Sequence, residues 1–484
     1  MEESATSPPR GRIGKTVATI LLFAAGAAVP YLVPSLSRYR FGGEEVFRRI
    51  LSGTPRVRLF ERREAEPREV RKESPGPVEA PPRAGGIEGP PQPRLARRAS
   101  SPELLPSGET VSIDDDEGIL VPFFEKLQRT ERGEPGAITR ISHFGDSPVT
   151  GDLISGEARA RLQKDFGDAG HGFVLAASPW GWYGHNGVTL RASGWKPLSP
   201  VLTSGDGGHH GLGIVSFVGK GGAKSEIEVG GGGFTRLEVS YLERPGGGRF
   251  TVATDDGPEV EVDTKGVEKK DAFFTLDLPA VARKVTLRPK GEGTVSVYGF
   301  VLEKEGPGIV YDALGANGAA VHALTLLDAD GFVRALAARR SDLVILGYGT
   351  NESGYAGIPG TRYRLDWIEV IARVRRALPG VAILLMAPMD RGVRLEDGSI
   401  GTLPSIPKIV EAQREIAAET RCAFFDTYAA MGGEGTMARW YEREPRLVSG
   451  DFTHTTKGGS DRVARLLVDA LEAAYEEWRS TAGP

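Results

Sequence analysis

Residues 342–353 read DLVILGYGTNES. Leu343 to Leu346 are apolar without a break, and glycine follows at 347. A strand wetted on one face alternates apolar and polar residues. An unbroken run marks a strand covered on both faces, as in a parallel sheet. The polar turn GTNES then stands at the strand's carboxyl end. Downstream, RLDWIEVIARVRRALPG reads as a helix, VAILLMAP as a second buried strand and SIPKIVEAQREIAAETR as a helix. CAFFDTY follows as a strand, and residues 457–480 as a closing helix. Upstream, LGANGAAVHALTLLDADGFVRALAARR (314–340) reads as helical. Strands alternating with helices imply an open α/β sheet with helices on both faces.

The same rhythm occurs earlier in the chain. ILVPFFEKLQRTE (119–131) is amphipathic, ITRISHF (138–144) reads as a short strand, and LISGEARARLQKDFG (153–167) has helical spacing. Between the two α/β parts, residues 180–306 carry seven short alternating runs, GLGIVSFVG and VSVYGFVLE among them, separated by Gly, Pro and Asp turns. That pattern predicts a β-sandwich. The expected organisation is one α/β domain in two parts, 115–179 and 307–484, with the sandwich inserted between them.

The amino-terminal region differs. Residues 16–36 are about 21 mostly apolar residues without charge, long enough to span a bilayer, and Arg10, Arg12 and Lys15 precede them. Residues 1–36 therefore read as a signal anchor, with a cleavable signal as the alternative. No cysteine follows, so a lipoprotein anchor is out. Residues 37–114 are rich in Pro, Arg and mixed charge and read as a semi-extended tether. The expected location is outside the cytoplasmic membrane, anchored and facing the periplasm or cell exterior. A net charge of −4 makes nucleic acid an unexpected partner. Cys422 is the single cysteine, which excludes an intrachain disulfide and a thiolate metal cluster.

Ligands of open α/β sheets bind at the carboxyl ends of the strands. Four polar stretches are expected there: FGDS with Ser147, GANG with Gly318, GTN with Asn351, and DFTH with Asp451 and His454. A serine hydroxyl needs a base to become a nucleophile, and a histidine titrating near neutrality supplies one. An aspartate three residues before it can fix the tautomer and steady the imidazolium. The N–H groups of Ser147 and Gly318 and the Asn351 amide can face an oxyanion. Gly315 is an alternative to Gly318, which is preferred because it opens the following helix. Ser147 and Pro148 also suit a first helical turn.

In this order and at these places, the four stretches resemble the SGNH, or GDSL, hydrolase family over about residues 117–175 and 307–480. The resemblance implies a three-layer αβα, flavodoxin-like domain. It makes Ser147, Asp451 and His454 the triad, makes Ser147, Gly318 and Asn351 the oxyanion donors, and requires no cofactor or metal. Glu352 stands where many members have Asp. The inserted sandwich is similar to that of bacterial peptidoglycan O-acetylesterases, where the extra domain resembles a carbohydrate-binding module. Expected activities are removal of O-acetyl groups from a glycan, acetyl transfer to one by the same triad, or lipase or arylesterase action. A purely glycan-binding protein is the non-enzymatic alternative. Trp180, Trp182 and Tyr183 form a candidate sugar-stacking surface, with packing between insertion and core as the other reading. Of the remaining histidines, His143 reads as structural, His171 as part of a glycine turn and His322 as packed in a helix. His209 and His210 lack the further clustered ligands a metal needs.

Overall fold

The computed structural model describes residues 111–202, 206–255 and 257–482. The expected membrane segment and most of the tether lie outside them. Among the described residues no helix is long and apolar enough to cross a membrane.

Five parallel strands form the central sheet: β1 (Ile138–Gly145), β2 (Gly308–Gly315), β3 (Leu343–Gly347), β4 (Ala382–Met386) and β5 (Ala423–Phe425). Their order is β2-β1-β3-β4-β5, so the winding reverses between β1 and β3. That reversal opens a crevice at the carboxyl edge. Six longer helices cover the sheet: α1 (Val121–Glu131), α2 (Ile154–Phe166), α3 (Ala329–Arg339), α4 (Thr361–Ala377), α5 (Ser405–Glu419) and α6 (Lys457–Ala482). Alternation along β3 divides the core. Leu343 and Ile345 share one apolar cluster with Phe124 of α1, Leu162 of α2 and Leu467 of α6. Val344 and Leu346 share the other with Phe332 of α3, Trp367 of α4 and Ile409 of α5. Each such side chain contributes about 1.5–3 kcal/mol on burial, and the unbroken run at 343–346 supplies both faces.

The stretch 314–340 is not one helix. Gly315 ends β2, a turn follows, residues His322–Thr325 make a single helical turn, and α3 starts afresh. The Asp328 carboxylate accepts the Gly331 N–H at 2.7 Å, and this cap sets the start. The alanine-rich composition masked the break.

The insertion is a two-sheet sandwich. One sheet has six strands, at Gly170–Leu175, Lys196–Leu198, Ser216–Gly219, Phe234–Glu243, Lys270–Ala282 and Val295–Glu303. The other has five, at Val188–Ser193, Lys224–Val229, Arg249–Thr254, Val260–Asp263 and Lys284–Lys290. The sandwich thus begins at Gly170, ahead of the expected boundary at 180. His171 lies on its first strand, paired with Val295–Glu303, and not in a glycine turn. Gly172 serves close approach instead, since a Cβ there would sit 2.5 Å from the Asp312 carboxylate.

Strand Val295–Glu303 is buried at every position. It forms part of the sandwich core and also meets the α/β domain. An ionic cluster closes that junction. Arg339 of α3 donates to both Asp312 oxygens at 2.8 and 3.0 Å and to Glu303 at 2.9 Å. Arg140 of β1 pairs with Glu303 at 2.8 Å. Burial works against the Glu303 charge, but Arg339 and Arg140 outweigh it and hold its pKa at about 2.

Candidate active site

Ser147 follows β1 and begins a one-turn helix, Ser147–Thr150. So short a helix offers little dipole, and Ser147 gains its position from the strand ends beneath. Gly145 stands level with Gly315 of β2 and Gly347 of β3. A Cβ on Gly315 would lie 2.2 Å from the Thr150 nitrogen. The glycines let the turn fold back tightly over the sheet, leaving Ser147 only partly buried.

His454 arrives from the loop before α6. Its Nε2 lies 3.1 Å from Ser147 Oγ, and its Nδ1 lies 2.6 Å from Asp451 Oδ2. The Asp451 carboxylate also accepts the N–H groups of Thr453 and His454, each at 3.0 Å. Partial burial raises the Asp451 pKa, but these bonds win and keep its carboxyl below the usual range. An ionised Asp451 oriented on Nδ1 leaves Nε2 free to accept the serine proton. The His454 and Asp451 side chains are 54% and 51% exposed, so the triad opens directly to solvent.

Phe452 lies between the two with φ +56°, in the left-handed region that side chains avoid. Its neighbours hold it there. The Tyr441 ring packs edge-on at 4.9 Å, Arg394 lies over its ring at 5.4 Å, and its carbonyl accepts the Gly392 N–H at 2.7 Å. Sequence reasoning missed this support because the hairpin carrying Gly392 and Arg394 has no motif.

The three oxyanion candidates converge on the same edge. The N–H groups of Ser147 and Gly318 have no hydrogen-bond partner among the described residues. Gly318 is exposed, with φ +74°, whereas Gly315 is buried in β2 against the nucleophile turn. Of the two glycines, Gly318 is the one a ligand can reach. The Asn351 amide donates to the Ala319 carbonyl at 2.9 Å and to Asp146 Oδ2 at 3.2 Å. Burial, reinforced by nearby Glu352, pushes the Asp146 pKa up to about 7. Glu352 is also pushed to about 7 by burial, against its bonds from the Val321 and Gly349 N–H groups at 2.9 and 3.0 Å. It braces the turns carrying Gly318 and Asn351, which is what the residue after Asn351 contributes here.

The aromatic trio divides. Tyr183 accepts the Leu175 N–H at 2.8 Å and packs against the core, as does Trp180. Trp182 is 60% exposed and donates from Nε1 to Asn317 Oδ1 at 3.0 Å, beside Gly318. Two residues without a sequence signature hold this segment. Asp152, paired with buried Arg159 at 2.5 Å, accepts the Asn186 N–H at 2.7 Å.

Among the other histidines, His143 is buried against the Tyr311 hydroxyl at 2.8 Å, and burial lowers its pKa to about 4. His322 is not packed: its side chain is 45% exposed beside Asp366. His209 contacts Asp271 and His210 contacts Ser216, each at 3.2 Å. No group of three or more metal-ligating side chains occurs among the described residues.

The model of the GDSL-like lipase/acylhydrolase family matches residues 285–462, a span that includes Gly318, Asn351, Asp451 and His454. The sequence matches no curated protein. Among solved structures, a peptidoglycan O-acetylesterase aligns at 27% identity and TM-score 0.63, over 74% of this chain and 96% of its own. A family two carbohydrate esterase from Cellvibrio japonicus aligns at 11% identity and TM-score 0.24, over 63% of this chain and 98% of its own. An acetyl xylan esterase aligns at 16% identity and TM-score 0.25, over 34% and 80%. Residues 285–462 thus match the GDSL-like lipase/acylhydrolase family, and the chain resembles a peptidoglycan O-acetylesterase over 74% of its length.

Proposed function

We propose that this esterase is exported and membrane-anchored, and that it removes O-acetyl groups from a carbohydrate, most simply a cell-wall glycan such as peptidoglycan. The observation that carries the reading is a relay of Ser147, His454 and Asp451 lying open to solvent at the rim of an inserted sandwich. An open site suits an ester on a bulky polymer better than one on a lipid chain, which needs an apolar tunnel. The likeness to a peptidoglycan O-acetylesterase supports the same substrate class. The apolar stretch at 16–36 supports export.

In this reading Ser147 Oγ attacks the acetyl carbonyl while His454 Nε2 takes its proton. The tetrahedral oxyanion receives the Ser147 and Gly318 N–H groups, and it displaces Asp146 from the longer of the two Asn351 bonds. Collapse of the intermediate breaks the ester bond, and His454 returns the proton to the departing sugar hydroxyl. Water, deprotonated by His454, then attacks the acetyl-enzyme and releases acetate. No step calls for a metal or organic cofactor. A sugar hydroxyl in place of that water would make the same acyl-enzyme an acetyltransferase.

Acetate release from O-acetylated peptidoglycan, with acetylated xylan in parallel, tests the proposal. Release from peptidoglycan that disappears in Ser147→Ala is the expected result. Turnover of small acetyl esters without release from either polymer would overturn the substrate assignment.

A further inference from the structure

We propose that the inserted sandwich meets the glycan at the active site itself, through the exposed face of Trp182, and not through an independent binding face. The inference rests on the carbohydrate-esterase reading above and deepens it. Its ligand is the acetyl-bearing pyranose residue, whose apolar C–H face would lie on the indole.

Three observations lead there. The first is what the sandwich faces carry. The outer side of the five-stranded sheet is covered by ion pairs, including Arg191–Glu228 at 3.3 Å, Lys284–Glu226 at 3.2 Å and Arg249–Glu261 at 3.0 Å. Strand Val295–Glu303 of the other sheet is covered throughout. Among the described residues of the insertion, Trp182 is the one aromatic side chain that is largely exposed. A surface of paired charges presents no platform for a sugar ring, whereas an indole does.

The second is where Trp182 is held. Its Nε1–H is bound to Asn317, the residue before Gly318. The Gly184 N–H reaches the Thr150 carbonyl of the nucleophile turn at 3.4 Å, and Asn186 is fixed by Asp152 at 2.7 Å. Residues 182–186 are thus tied at three points to the turns carrying Ser147 and Gly318. Because the polar edge of the indole is already satisfied, its faces remain available and little ordering cost is left for binding.

The third is that a second segment of the insertion reaches the same place. Val201 is the nearest neighbour of the Gly318 Cβ position, at 4.0 Å. The insertion therefore approaches the turn carrying Gly318 from a second segment as well.

The test uses the full chain and the ratio of kcat/KM on O-acetylated peptidoglycan to kcat/KM on 4-nitrophenyl acetate. We expect Trp182→Ala to lower that ratio about tenfold, and Trp182→Phe, which keeps a flat ring, to restore it to within about threefold. Retention on insoluble acetylated peptidoglycan gives an independent readout. Protein carrying Ser147→Ala alone should be retained better than protein carrying Ser147→Ala with Trp182→Ala. An unmoved ratio in an enzyme active on the glycan, or equal retention of both proteins, would overturn the inference and leave the esterase reading intact. Absence of glycan hydrolysis by the wild-type chain would overturn both.

Discussion

Asn351 shows how much of the site is decided one residue at a time. Its amide carries two hydrogens, and both are engaged, the longer bond being the 3.2 Å contact to Asp146. The carboxylate of Asp146 fixes the orientation of the amide, and in the proposed mechanism an oxyanion takes its place on that hydrogen. Asn351→Ala is expected to lower kcat by about 10²–10³ with little change in KM, as loss of one oxyanion donor does elsewhere. Asp146→Asn keeps an acceptor and should retain most activity, whereas Asp146→Ala frees the amide and should cost about tenfold in kcat. Steady-state kinetics on a small acetyl ester separates the three; equal activity of both Asp146 variants would remove its positioning role. Ser147, Asp451 and His454, which the fold brings together, were legible as candidates in the sequence because acyl transfer demands particular side chains in a particular order. Asp146, Asp152, Asn186 and Phe452 were not, because they act by holding other groups, and such roles have no fixed residue type or spacing.

At the scale of elements, the strand ends matter more than the strands. Gly145, Gly315 and Gly347 lie side by side at the carboxyl edge, and the nucleophile turn rests on them. Gly315→Ala would drive a methyl group into backbone at Thr150, where nothing flexible can yield. We expect a loss of about 1–3 kcal/mol of stability and a drop in kcat well beyond it, since Ser147 must move with the turn. Thermal unfolding and kinetics of the variant check this. A fully active, equally stable Gly315→Ala protein would contradict the packing account. β3 and β4 were legible because their apolar runs are unbroken. Gly170–Leu175 was misread because glycine signals a turn more often than a close approach. The alanine-rich 314–340 segment was misread because nothing in composition marks the Asp328 cap as a new start.

Across the whole molecule, the junction between sandwich and α/β domain is ionic as well as apolar. Arg339 joins Asp312 to Glu303, and Arg140 joins Glu303 from the other side. Glu303 is held at about 2 in the folded state, below the ordinary glutamate value of 4.5. Its stabilising contribution is therefore present above about pH 4.5 and is lost as pH falls toward about 2. Glu303→Gln should destabilise by about 3–5 kcal/mol near neutral pH, because it leaves the buried Arg339 short of a charge partner, and should flatten the acid limb of the stability curve. Denaturant unfolding between pH 3 and 7 reads both effects; an unchanged acid limb would show that the cluster does not govern the junction. The existence of an inserted sandwich was legible from its alternating runs. Its attachment to the hydrolase was not, because Glu303, Asp312 and Arg339 come together only once the chain is folded.

The central claim is that Ser147 is the nucleophile of a relay with His454 and Asp451. The most direct measurement treats the intact chain with a fluorophosphonate, from which an activated serine displaces fluoride, and maps the adduct by peptide mass spectrometry. The account predicts a single adduct on the peptide carrying Ser147, absent in Ser147→Ala and strongly slowed in His454→Ala. An adduct on another residue, or ester hydrolysis that persists in Ser147→Ala, would contradict it.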